Sequence, residues 1–124
     1  MGDLLSKAEY AALAKDISLP SKAFINGAFK PAISGKTFAT NNPATGDFWT
    51  DVAACSSDDV DFAVRNAKEA FEDGRWRSIS PRERKTVLLK FANLLESHQH
   101  ELAVLESLDS GKPVSECQLV DIPD

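Results

Sequence analysis

The chain has 124 residues and a mass of 13.5 kDa, with 43% hydrophobic and 27% charged residues, a composition that excludes a disordered or low-complexity segment. Surface scaling for this mass predicts that folding buries roughly 13,000 Å², about two thirds of what the unfolded chain exposes, so a core is possible by size. Fourteen basic against nineteen acidic residues leave a net charge of −5, which excludes the basic footprint of a nucleic-acid binder and a polybasic membrane anchor.

Residues 3–17 read as a short helix, with Ser6 three positions before Glu9 at capping-box spacing and Leu19-Pro20 ending it. Ala23 to Phe29 reads as a tight hairpin, because Asn26-Gly27 tolerates the positive φ values of a type I′ turn. Phe38-Ala39-Thr40 is a second extended piece. Asn42-Pro43-Ala44-Thr45-Gly46 is a turn, in which Pro43 presets φ and Gly46 permits φ > 0. Phe48 to Cys55 follows as a strand, with Phe48, Thr50, Val52 and Ala54 on one face.

From there the pattern is helical. Ser56 or Ser57 caps a helix whose first turn carries Asp58 and Asp59 and whose apolar stripe is Val60, Ala63, Val64, Ala67, Ala70 and Phe71; Gly74 is its stop. Ser80, Pro81 and Glu83 occupy N-cap, N1 and N3 of the next helix, which is expected to bury Val87, Leu88, Phe91, Leu94 and Leu95. A third helical stretch runs through Leu102, Leu105 and Leu108 to Gly111 and Pro113, and His98–Glu101 is either a break or a continuation. Val114 to Asp124 carries apolar residues and no cap. Physics alone predicts an α+β chain: a hairpin and short strands, then about three helices.

Chemistry is sparse. The six glycines stand at 2, 27, 35, 46, 74 and 111, too scattered for a phosphate-cradling loop, which aims successive backbone N–H groups at one anion. Cys55 precedes a predicted helix N-terminus, where a thiolate can be favoured; a small residue ending a strand is the preferred reading. Cys117 has less support as a nucleophile. His98 and His100, two apart, diverge on a helix and read as solvent-exposed decoration rather than metal ligands. Arg75, Arg77, Arg82, Arg84 and Lys85 read as a solvated face offset by Glu69, Glu72 and Asp73. Trp49 and Trp76 read as packing residues. Two distant cysteines, no secretory leader and no apolar run of ~18 residues predict a cytoplasmic location with no membrane partner.

Several patterns in fixed order carry more than any one of them. Phe24-Ile25-Asn26-Gly27 is followed by Phe38 to Gly46, Ala67 to Phe71, Gly74-Arg75-Trp76, Pro81-Arg82-Glu83-Arg84, Leu94-Leu95-Glu96 and Leu105 to Pro113. Together they resemble the N-terminal part of the aldehyde dehydrogenase superfamily over residues 23–124. Within it the chain looks most like the bacterial γ-glutamyl-γ-aminobutyraldehyde dehydrogenases of putrescine breakdown, through Glu101–Pro113 and Asp121-Ile122-Pro123. The resemblance implies an α/β parent fold with a Rossmann-type cofactor domain, of which residues 1–22 are an N-terminal arm and 23–124 an incomplete N-terminal part.

It also implies a parent activity: oxidation of a small aldehyde to a carboxylic acid with NAD or NADP, in a homo-oligomer. A cysteine thiolate attacks the aldehyde, the nicotinamide takes the hydride, and a glutamate-activated water hydrolyses the thioester. In family members the Gly-rich cofactor segment, the nucleophile, the glutamate and the oxyanion-stabilising asparagine follow the matched region. No catalytic or cofactor-binding residue is therefore expected in this chain, and neither Cys55 nor Cys117 stands at the nucleophile's position. The expectation is a truncated segment, inactive and without cofactor alone; the alternative is a non-catalytic module that binds intact dehydrogenase subunits. One family feature carries over by residue. A monovalent cation is held in some members by two backbone carbonyls at positions matching Thr40 and Asn41, a carboxylate matching Asp109 and a further group downstream of the matched region, hard oxygen donors. Asp109 also has a structural reading, bonding backbone near Gly111.

Overall fold

The computed structural model describes residues 3–123; Met1 and Gly2 of the predicted arm and Asp124, the last residue of the predicted second segment, lie outside them. Its elements are α1 (Lys7–Asp16), β1 (Ala23–Ile25), β2 (Ala28–Lys30), β3 (Thr37–Asn41), β4 (Phe48–Ala53), α2 (Ser57–Glu72), α3 (Pro81–Ser97), α4 (Gln99–Ser110) and the short α5 (Val114–Glu116), which runs into a π-helical turn, Cys117–Asp121. The strands form two separate pairs, β1 with β2 and β3 with β4. The chain folds into two units. One holds the stretches up to Leu19, Asn41–Trp49 and from Lys90 on; the other holds Pro20–Thr40 and Thr50–Leu89.

In the first unit α4 is the central element, packed by α1, α5 and the π-helical turn. Ala103 and Val104 of α4 are fully buried, along with Cys117 and Gln118 from the turn. Tyr10 of α1 is buried edge-on against His100, ring centroids 5.9 Å apart. The helix starts at Lys7 rather than residue 3, because the Ser6–Glu9 capping box fixes the first turn: the Glu9 N–H donates to Ser6 Oγ, and the Ser6 N–H donates to Glu9 Oε2 at 2.8 Å. His98 is a true break, the N-cap of α4. The buried face of α4 is offset from the predicted Leu102, Leu105 and Leu108, which are half-buried.

Gly111 closes α4 at φ +77°, and a Cβ there would stand 3.1 Å from Pro43 Cγ. Gly111→Ala is expected to cost about 1–2 kcal/mol from the left-handed backbone alone, read as a lowered midpoint in chemical denaturation.

In the second unit the hairpin pairs Ile25 with Ala28 and Phe24 with Phe29, around Asn26 at φ +53° and Gly27 at φ +74°, as the Asn-Gly sequence predicts. Asp59, in the first turn of α2, is buried and ties two segments together. Its carboxylate accepts the Ile33 N–H through Oδ1 and the Ser56 N–H through Oδ2, each at 2.8 Å. α2 ends at Glu72 with Gly74 at φ +88° just beyond. The predicted start of α3 is present: the Glu83 N–H donates to Ser80 Oγ at 3.2 Å and the Ser80 N–H to Glu83 Oε2 at 2.8 Å. Ser80→Ala is expected to lower stability by about 1 kcal/mol. An unchanged denaturation midpoint would refute that cap.

Three carboxylates of these starts share one titration. The Ser6, Ser56 and Ser80 groups bonded to Glu9, Asp59 and Glu83 hold their carboxyls below the ordinary range. A depressed native value means the stabilisation is complete above the unfolded value of about 4 and is lost as pH falls through the lower native value. Helical circular dichroism is expected to hold down to about pH 4 and to fall below it; a signal flat to pH 2 would contradict the three caps.

The expected burial of the apolar stripes is overturned. Val60, Val64 and Phe71 of α2 are exposed, and α3 has no buried residue; Phe24, Phe29, Phe38 and Phe48 are exposed as well. The chain exposes 9005 Å², against about 6,500 Å² for a folded monomer of its mass. The buried hydrophobic residues among those described are Tyr10, Ala32, Ala103, Val104 and Cys117. The stripes have the right periodicity, but the described residues supply no layer to cover them.

Candidate functional site

The chemistry-bearing side chains do not converge. Cys55 is exposed in the link between β4 and α2. The N–H of its neighbour Ser56 donates to the Asp59 carboxylate. Cys117 is buried, and burial, then the Asp121 and Glu106 carboxylates, push its thiol up. It is a protonated packing residue. Neither cysteine has a histidine among its hydrogen-bond partners in the described residues; the side chain bonded to Cys117 is the Asp121 carboxyl.

His98 Nδ1 lies 3.5 Å from Glu101 at the surface, whereas His100 Nδ1 shares a 3.4 Å hydrogen bond with the Tyr10 hydroxyl. The pair diverges as its spacing predicts. His100 is nevertheless a half-buried packing residue, not decoration, because α1 covers it. Among the described residues no three His, Cys, Asp or Glu side chains gather as a metal cluster.

Three of the five basic residues of the cluster are engaged locally. Arg75 pairs with Asp73, with Nε 2.7 Å from Oδ2. Arg77 lies over the Phe71 ring, 5.6 Å from its centroid. Arg84 donates to the Ile79 carbonyl at 2.8 Å and more loosely to that of Arg77. These three arginines shape the link between α2 and α3. Trp49 is half-buried, but Trp76 is 38% exposed, against the packing role expected of it.

Thr40 and Asn41 end β3. The Thr40 hydroxyl donates to the Thr50 carbonyl at 3.0 Å, so its side chain serves the strand pair. Asp109 is exposed near the end of α4 and makes no hydrogen bond among the described residues. Its expected structural role belongs to two serines instead: Ser107 Oγ donates to the Lys112 carbonyl at 2.7 Å, and Ser110 Oγ accepts the Lys112 N–H.

Among the described residues the glycines at 27, 35, 46, 74 and 111, all at positive φ, each stand in a separate turn or helix end, so they form no glycine-rich phosphate loop. A shallow groove of about 270 Å³ in the second unit is lined by Phe24, Ile25, Asn26, Asn66 and an alanine row on α2, without a titratable group.

Sequence reasoning missed three contacts. Asp59 reaches Ile33 across 26 residues, Lys112 pairs with Asp121 at 2.7 Å, and buried Gln118 donates to Gln99 at 2.8 Å. Acidic first-turn residues hinted at the first; nothing local signals the others.

The strand pairs, the capped helices and the Gly-Lys-Pro end of α4 define the class. The chain belongs to the aldehyde dehydrogenase family, whose pattern, described as Aldehyde dehydrogenase family, matches residues 29–124. It is 58% identical over all 124 residues to the aminoacetaldehyde dehydrogenase of Pseudomonas aeruginosa, of which it spans 25%, so the likeness includes the N-terminal arm. Among solved structures it matches a P. syringae indole-3-acetaldehyde dehydrogenase in complex with NAD+ (TM-score 0.92, 40% identity, 97% of this chain and 24% of that one). It also matches the γ-glutamyl-γ-aminobutyraldehyde dehydrogenase of Burkholderia cenocepacia (TM-score 0.91, 40% identity, 96% and 24%). The chain thus spans about a quarter of the proteins it resembles. No helix among the described residues is long and apolar enough to cross a membrane.

Proposed function

We propose that the chain is the N-terminal scaffold segment of an NAD(P)-dependent aldehyde dehydrogenase, inactive alone. In the whole protein it would frame the cofactor domain of a cytoplasmic homo-oligomer. The observation that carries this reading is full-length likeness at 58% identity to one quarter of a dehydrogenase, joined to helices whose apolar faces lie open. The aldehydes named for two of its relatives, aminoacetaldehyde and γ-glutamyl-γ-aminobutyraldehyde, both carry nitrogen. They support a nitrogen-bearing aldehyde as substrate, as in putrescine breakdown. The Thr40 and Asn41 carbonyls with the Asp109 carboxylate would hold a monovalent cation in the complete protein.

The coding DNA tests the reading. An open frame running past Asp124 for roughly three times this length, with a Gly-rich segment, a cysteine and a glutamate to follow, is expected. Unrelated sequence after a normal stop would count against it. The exposed faces also suit the alternative, a module that binds intact dehydrogenase subunits; co-purification with a full-length subunit would favour it.

A further inference from the structure

The turn between β1 and β2 carries Asn26-Gly27, the one Asn-Gly pair in the chain. In such a pair the glycine nitrogen can attack the amide carbon of the asparagine side chain, because the glycine has no Cβ to hinder the approach. The surroundings leave this path open. Asn26 is exposed, and a Cβ built on Gly27 would meet nothing within 4 Å. The turn holds Asn26 at φ +53° and Gly27 at φ +74°, so ring closure requires rotation out of that pair. Strands of three residues each, in a two-stranded sheet of their own, resist it weakly. Phe24 and Phe29, which face each other across the hairpin, are both exposed.

The other four asparagines are shielded. Asn42 precedes Pro43, whose nitrogen carries no proton, and its Oδ1 accepts the Ala44 N–H. Asn66 lies in α2 and donates to the Phe62 carbonyl at 2.7 Å. Asn93 lies inside α3 before Leu94, and Asn41 lies in β3 before Asn42. Asp73 also precedes a glycine, but its carboxylate is held by Arg75.

We propose that Asn26 is a modification site, at which the chain deamidates without an enzyme and the hairpin then opens. The Gly27 nitrogen bonds to Asn26 Cγ, the Cγ–Nδ2 bond breaks, and ammonia leaves with the amide proton. One water then opens the resulting succinimide at either carbonyl. One opening gives an aspartyl residue on a normal main chain. The other gives an isoaspartyl residue, whose main chain runs through the side-chain carbon. Each adds one negative charge to the net −5. The isoaspartyl form also adds a main-chain atom to a two-residue turn, and that geometry no longer keeps Phe24 opposite Phe29.

The test incubates the folded 124-residue chain at mildly alkaline pH beside a synthetic peptide of residues 21–31. Mass spectrometry of proteolytic fragments follows the gain of one mass unit at each asparagine. Methyl transfer by an isoaspartyl methyltransferase counts the isoaspartyl product. Asn26 is expected to convert within about tenfold of the peptide's rate and at least about tenfold faster than the other four, since a marginal hairpin opens at little cost. Asn26→Gln should remove the gain, whether or not its hairpin forms. In the purified isoaspartyl form, proton NMR should lose the contact between the Phe24 and Phe29 rings, whose centroids lie 5.1 Å apart. Asn26→Asp, with the same charge on a normal main chain, should keep it. An Asn26 that stays intact while the peptide converts would overturn the proposal, as would equal conversion at Asn41, Asn66 or Asn93. A ring contact retained in the isoaspartyl form would overturn the opening of the hairpin.

Discussion

Incubated with small aldehydes and either NAD or NADP, the purified 124-residue chain is expected to form no reduced cofactor. Covalent aldehyde oxidation needs a thiolate beside its base, a hydride acceptor held against it, and an activated water. The two thiols offer none of this. Cys55 is exposed in a link between elements, and Cys117 is buried and pushed toward its protonated form. Five glycines in separate turns or helix ends make no phosphate cradle. Absorbance at 340 nm should therefore stay at the enzyme-free baseline, and Cys55→Ala should change nothing. Turnover that Cys55→Ala abolishes would overturn this account of both thiols.

The second large effect is structural. Ala103→Asp is expected to destabilise the first unit by about 4 kcal/mol or more, because it places an unpaired carboxylate in a fully buried position. α4 is the element against which α1, α5 and the π-helical turn pack, so the loss should spread through them. Amide hydrogen exchange would read it as lost protection in α4 and in Cys117–Asp121. Glu106→Ala, exposed on the same helix, should retain that protection. Unchanged protection in Ala103→Asp would mean that α4 is not the core of its unit.

Local chemistry was legible where it is self-contained. Ser6 with Glu9, Ser80 with Glu83, Asn26-Gly27 and the stops at Gly74 and Gly111 each need only neighbours a few residues away, and each is present. The stripes of α2 and α3 were legible as patterns, but not as burial. Periodicity states which side of a helix is apolar and cannot state whether anything in the chain covers it. Contacts across many residues, such as Asp59 to Ile33 and Gln118 to Gln99, depend on how segments come together and leave no spacing signal. The site behaved differently. Cys55, the histidines and the arginine cluster already read as structural in the sequence, and what the structure changes is His100, which the Tyr10 hydroxyl engages. The ordered motif set, rather than any residue pattern, carried the functional reading.

The most direct measurement replaces the first quarter of the P. aeruginosa aminoacetaldehyde dehydrogenase with these 124 residues and follows aldehyde-dependent NAD reduction. An N-terminal scaffold segment predicts a folded chimera with activity within about tenfold of the parent, because the replaced part holds no reacting group. A chimera that is soluble and folded but inactive would contradict it.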